Sequence, residues 1–165
     1  MGRSHELDAA TDADARALLT RACGASRWVD RMMARRPFGG DARLLRAARI
    51  EWFGLTEVDW LEAFSHHPTI GDRGSLATRF PATHEQSSRE QSAVNFASAR
   101  VIDELAQANQ EYFDRFGFIF IVCATGKGAE EMLQLLRDRL GNDRAAELRI
   151  AAEEQAKITA IRLAQ

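Results

Sequence analysis

Cysteine, proline and tyrosine are scarce in this chain, and neither sign of charge prevails. Its 165 residues include 2 cysteines, 3 prolines and 1 tyrosine. Cys23 and Cys123 stand far apart, in no CxxC pattern and no disulfide framework. That speaks against a small disulfide-stapled scaffold and for a reducing, cytoplasmic compartment, with pairing of the two cysteines as the alternative. The formal net charge is -2 and the sequence pI ≈ 6.1. Basic residues are scattered apart from "RMMARRP" at 31–37, which reads as a solvated helix end. No basic face is in view for a nucleic-acid partner. The longest apolar run, Phe118 to Ala124, is far too short to span a bilayer, which speaks against a membrane partner. The opening "MGRSHELDAATDADARALL" has no apolar core and is rich in acids, unlike a signal or transit peptide. Residues 1–10 read as a flexible tail. The closing "RLAQ" is not a peroxisomal tripeptide.

What the chain does have is helical periodicity. Hydrophobic residues at 45% and charged residues at 28% make an ordinary globular balance, enough for one domain over 1–165. Asp12 or Asp14 can cap a helix to about Cys23, and a second runs from about Ser26 to Arg35. Pro37, Gly39 and Gly40 stop the chain, and Asp41 can cap a helix to about Trp52. Thr56 opens "TEVDWLEAF", with Glu57 and Asp59 in the first turn, where the helix dipole favours acids. Ser87 starts a long helix to about Phe116 on the apolar stripe Val94, Ala97, Val101, Leu105, Ala108, Tyr112. "FGFIFIVCATG" is strand-like but has no convincing partner strand, so it reads as a buried extended segment. "GAEEMLQLLRDRL" and the stretch from about Asp143 to Leu163 are the last two helices. The fold class is all-α, a single-domain irregular bundle of roughly seven or eight helices.

Ser65 to Glu85 is the least regular stretch and carries three of the four histidines. A residue before proline is pushed out of the α region, so the helix carrying Trp60 and Phe64 must stop near His66. His67 then projects from a helix end on a backbone stiffened by Pro68, a suitable place for an acid–base group. The competing view is a helix-terminal histidine that only complements the dipole. A metal site from His66, His67, Asp72 and His84 is a further alternative. Adjacent histidines on an extended chain diverge, however, and no HExxH is present.

"SSREQ" at 87–91 has the pattern of a capping box, Ser87 with Glu90. Glu90 nevertheless falls on the same stripe as Val94, Ala97 and Val101, where a charge is costly without a partner. Arg162 sits on the stripe Ala151, Gln155, Ile158, Arg162. Its stem can snorkel to water, or its guanidinium can serve as a forked donor for a carboxylate or planar ligand. Cys123 lies in an apolar run and reads as a small core residue. "GKGAEE" lacks the Walker pattern and reads as a helix start.

"HPTIGD" at 67–72, "SSREQ" at 87–91, "NQEYFDRFGFIFIVCATGK" at 109–127 and "LGNDRAAELRIAAEEQAKITAIRL" at 140–163 together resemble the ureidoimidazoline decarboxylases of urate breakdown. The resemblance runs in order over about residues 7–163. It implies an all-helical fold and decarboxylation of 2-oxo-4-hydroxy-4-carboxy-5-ureidoimidazoline (OHCU) to (S)-allantoin. No metal or organic cofactor is implied, and the partners would be the small-molecule substrate and a second copy in a homodimer. The family's catalytic histidine falls on His67, with Glu90 in the catalytic and binding set. Its other substrate-holding residues fall on Pro68, Ser87, Gln91 and Arg162. Backbone groups of the 119–123 segment, at Ile119, Ile121, Val122 and Cys123, would touch the ring. Two rival classes stay open: a non-enzymatic helical ligand-binding module and a metal-dependent ureide hydrolase.

Overall fold

A computed structural model of the chain describes residues 2–68 and 88–165, with the side chains of 88–98 outside that description. Among the described residues there are eight helices and no strand. These are α1 (Arg3–Ala9), α2 (Asp12–Ala22), α3 (Ser26–Ala34), α4 (Asp41–Phe53), α5 (Glu57–Ser65), α6 (Ser88–Phe116), α7 (Ala129–Leu140) and α8 (Arg144–Ala164). The all-α class expected from the sequence is therefore what these residues adopt. They group into two compact units, Met1–His67 with Ile121–Cys123 and Arg149–Gln165, and Pro68–Phe120 with Ala124–Leu148.

In the first unit α1 to α5 surround tryptophans that are apolar by area yet each carry one N–H. Burial of that donor demands an acceptor. Trp28 donates to the Ala48 carbonyl at 3.0 Å, Trp52 to the Ala152 carbonyl at 2.8 Å, and Trp60 to the Trp52 carbonyl at 3.0 Å. These bonds tie α3 to α4, α4 to α8, and α5 to α4. The tail expected at 1–10 is instead helix α1. Its Leu7 is fully buried, the Ser4 amide bonds Asp41 at 2.8 Å, and Asp8 accepts from the Phe38 and Gly39 amides. One buried leucine and two carboxylate anchors hold a seven-residue helix too short to form alone.

The second unit is built on α6 and α7. Ile102, Leu105, Ala108, Tyr112 and Phe116 form the buried face of α6, close to the expected stripe. Gly117, at φ 79, closes this helix in the left-handed region, its amide bonded to the Phe113 carbonyl at 2.8 Å. Tyr112, Phe116, Phe118 and Phe120 then cluster, with Tyr112 and Phe120 edge-on at 5.3 Å between ring centres. Glu147, fully buried, is matched by Arg139, Tyr112 and Asn142. A buried carboxylate of this kind is tolerable only because each oxygen has a donor. Burial and the bond to Glu147 raise the Tyr112 pKa. Residues 118–124 run as neither helix nor strand, with Phe118, Phe120 and Ile121 buried.

Candidate functional site

The site is built on the end of α5. Its start is fastened by Asp59, whose carboxylate accepts from the Thr56 amide at 3.0 Å and the Thr56 hydroxyl at 2.9 Å. Asp59 is thus a capping partner and more than an acid placed in the dipole. Burial opposes its charge, but the Thr56 bonds and the nearby Arg27 and Arg31 outweigh that and hold its carboxyl below the usual range. Ala63 and Phe64 bury the inner face. Helix α5 ends at Ser65 with His66 as its C-cap, where the constraint of Pro68 predicts a stop. The His67 amide still bonds the Phe64 carbonyl at 3.1 Å, so the histidine leaves the helix from a defined position.

His67 is half-buried, and its Nε2 meets the Oε1 of Gln155 on α8. Gln155 is 1% exposed, and its own amide donates to Thr159 Oγ1 at 3.1 Å. Burial lowers the His67 pKa from the ordinary 6.5. The Gln155 bond opposes the shift, while the positive charges of Arg162 and His66 add to it. Near neutral pH His67 is therefore an uncharged imidazole, able to take a proton.

Beside it opens a pocket of ≈ 700 Å³ whose walls include Arg21, Ala22, Gly24, His66, His67 and Arg162. This volume suits a small ligand, and the lining is rich in cations and ring nitrogens. The Arg162 guanidinium reaches the Ala22 carbonyl at 3.3 Å and the Arg21 carbonyl at 3.4 Å, the last carbonyls of α2. It is exposed, and the buried stripe of α8 is Ala151, Ala152, Gln155, Thr159 and Leu163. The inward stripe ending at Arg162 is thus corrected by one helical step. The glutamine faces the core, while the arginine stands at its rim and caps a neighbouring helix. Gly24 has no side chain for a specific reason. A Cβ there would stand 2.5 Å from the His66 ring, so the turn after α2 packs directly against the residue preceding His67.

Cys23 is buried, and burial pushes its thiol up to about 11, which leaves it no nucleophile at neutral pH. Cys123, expected in the core, is half-buried, and neither cysteine is in a disulfide. The Cys123 amide, one of the backbone donors expected to touch a ligand, bonds the Glu154 carboxylate at 2.7 Å. Ile121 is buried, and Val122 and Ile119 are half-buried. Pro68 is exposed. Ser87 lies outside the described residues, as do the side chains of Glu90 and Gln91, whose backbones open α6. Asp72 and His84 of the metal alternative also lie outside the described residues. Among those described, no group of three or more His, Cys, Asp or Glu is placed to hold a metal ion. No helix among them is long and apolar enough to cross a membrane.

Of the expected site residues, then, His67 and Arg162 line one pocket, with Ile121, Val122 and Cys123 in the same compact unit. Gln155 was the residue to find. A carboxamide on an apolar stripe needs a buried partner for the same reason that makes Glu90 conspicuous.

The model of the OHCU decarboxylase family matches residues 8–164. The chain belongs to that family. It is 40% identical over 144 residues to the uric acid degradation bifunctional protein TTL of Arabidopsis thaliana, covering 87% of this chain and 44% of that one. It is 33% identical over 97 residues to the 2-oxo-4-hydroxy-4-carboxy-5-ureidoimidazoline decarboxylase of Amia calva, covering 59% and 55%. The chain thus spans about half the length of these curated relatives. The crystal structure of an OHCU decarboxylase in the presence of (S)-allantoin superposes with a TM-score of 0.71 at 36% identity, covering 94% of this chain and 96% of that one. An (S)-allantoin synthase shares the fold at a TM-score of 0.67 and 16% identity.

Proposed function

We propose that this chain, acting as one domain over 1–165, catalyses the decarboxylation of 2-oxo-4-hydroxy-4-carboxy-5-ureidoimidazoline to (S)-allantoin in urate breakdown. The observation that carries this reading is a neutral His67 beside the Arg162 cation in one small-ligand pocket, within a member of the OHCU decarboxylase family. The substrate brings its own electron sink, a conjugated C=N next to the carbon that bears the carboxylate. When the bond to CO₂ breaks, the electron pair passes into that C=N and the ring nitrogen takes a proton from solvent water. The ring hydroxyl then loses its proton as it becomes a carbonyl, and the carbon bearing the ureido group gains one. Neutral His67 is the base that removes the hydroxyl proton and returns it to that carbon from one face, which sets the hand of the product. Arg162 holds an anionic or carbonyl edge of the ring. Glu90 belongs with His67 to the catalytic set; Glu90 and Gln91 hydrogen-bond the ureido and ring N–H groups, and Ser87 and Pro68 help to hold the substrate. Backbone groups at Ile119, Ile121, Val122 and Cys123 read the planar ring. The work assigned to protein groups is orientation, charge stabilisation and one proton relay, so neither metal nor organic cofactor is required. The setting is cytoplasmic, and the protein acts as a homodimer.

The test is circular dichroism of the product. The unstable ureidoimidazoline is made fresh from urate by the two preceding enzymic steps, and the protein is added with a chelator present. Rapid appearance of optically active (S)-allantoin is expected. Slow racemic allantoin, as in the blank, would overturn the proposal.

A further inference from the structure

Gln155 is an unusual occupant of a helix core. It is 1% exposed on a stripe otherwise made of Ala151, Ala152 and Leu163 with Thr159. An apolar side chain of the same size would fill that space without any desolvation cost, so its carboxamide needs a reason to be there. Two bonds define its orientation. Its Nε2 donates to Thr159 Oγ1 at 3.1 Å, one helical turn along α8. Thr159 is itself buried. With the amide nitrogen committed to Thr159, Oε1 is the atom turned to His67. A carbonyl oxygen only accepts, so the imidazole must donate from Nε2. A neutral imidazole carries one N–H, and its other nitrogen then holds the lone pair.

We infer that Gln155 is a positioning residue, which holds His67 as the Nε2–H tautomer and leaves Nδ1 as the nitrogen that accepts the reacting proton. The second half of this statement rests on the function proposed above; the first half does not. The neighbours of the ring are consistent with it. Arg162 from α8 and His66 from α5 both disfavour the imidazolium, so the neutral tautomer is the form that matters near pH 7. A partner that sets the tautomer of a catalytic histidine acts on rate without touching substrate, and the wrong tautomer costs heavily even where geometry survives. The work falls to a residue 88 positions away in sequence, on a helix that also carries Arg162.

The experiment is ¹⁵N–¹H correlation of the imidazoles in uniformly labelled protein, with His67 assigned by the loss of its signals in His67→Asn. The wild type is expected to show a bare Nδ1 and a protonated Nε2, with a His67 pKa below the ordinary 6.5. Gln155→Leu keeps the volume and removes the acceptor. It is expected to mix the two tautomers and to lower kcat by about tenfold to a hundredfold while KM holds. Gln155→Glu keeps an acceptor and adds a negative charge, so the His67 pKa is expected to rise past the wild-type value. Should Gln155→Leu not fold, Gln155→Glu decides alone through that rise. A wild-type His67 protonated on Nδ1, or tautomer and pKa unmoved in the variants, would overturn the inference. The spectra need no turnover. A protein that makes no optically active allantoin would therefore sink the proposed function and leave the tautomer assignment to be judged on its own signals.

Discussion

Burial and the charges of Arg162 and His66 keep His67 neutral to lower pH than a free imidazole, against the pull of its bond to Gln155. For a group proposed to start as a base, that sign is useful. On that proposal the working form is the unprotonated one, so kcat/KM should stay level as pH falls through 6.5 and drop only below it. A pH–rate profile checks this; an acid limb centred above 6.5 would show that another group controls the rate. His67→Asn should lose at least about a hundredfold in kcat, the scale of acid–base assistance. Its helix content by circular dichroism should be unchanged, and full activity in the variant would remove His67 from the chemistry. The place of His67 was legible because its constraint is local: Pro68 ends the helix and stiffens the next step of chain. Gln155 was hidden because its partner is remote in sequence, and no short-range pattern joins α5 to α8.

Helix ends decide where the site residues stand. The boundaries of α2, α3 and α4 could be read closely because stop and start signals are short-range, but the cap of α2 is Thr11, which accepts from the Asp14 amide, and not the expected Asp12 or Asp14. Helix α1 could not, since seven residues offer too little periodicity and its anchors, Asp41 and Phe38, come from elsewhere. Helix α5 is pinned at both ends, by Asp59 on Thr56 and by Gly24 under the His66 ring. Asp59→Ala removes the acceptor for the Thr56 amide and hydroxyl and should cost about 1 kcal/mol of stability in denaturant unfolding, the scale of a lost cap. Gly24→Ala tests the other end. Its methyl would meet ring and Cβ atoms of His66 at 2.5 to 2.8 Å, and that Cβ moves only with the backbone. Overpacking of this sort costs about 1–3 kcal/mol, and here it should push the helix end that carries His67. A lower melting temperature together with lower kcat is the expected result. Normal kcat in Gly24→Ala would mean that His66 swings clear and that the turn after α2 does not position the catalytic end.

At the scale of the whole chain, the near-balanced charge of -2 leaves pH sensitivity to individual buried or paired groups. The grouping of helices into two compact units could not be read from periodicity, because α8 contributes residues to both without any break in its pattern. Asp59 is held below the usual carboxyl range by Thr56, Arg27 and Arg31 despite its burial, and Glu104 by Arg100 and Arg137. A depressed carboxyl contributes stability above its unfolded value, and that contribution is lost as pH falls through the folded value. His67 is also depressed, so the unfolded chain takes up its proton first, below 6.5, while the folded chain resists. Both effects have the same sign, but they lie in different windows. Melting temperature should therefore be flat between pH 7 and about 8, below the range where the unfolded Cys23 thiol, raised in the fold, starts to ionise. It should begin to fall below 6.5 as the histidine contribution fades, and fall again below about 4 as the carboxyl contributions go. Differential scanning calorimetry across this range, on wild type and His67→Asn, separates the two. The variant should lose the upper step and keep the lower one. An upper step of full size in His67→Asn would assign it to another histidine and would contradict the depressed pKa on which the neutral-base mechanism depends.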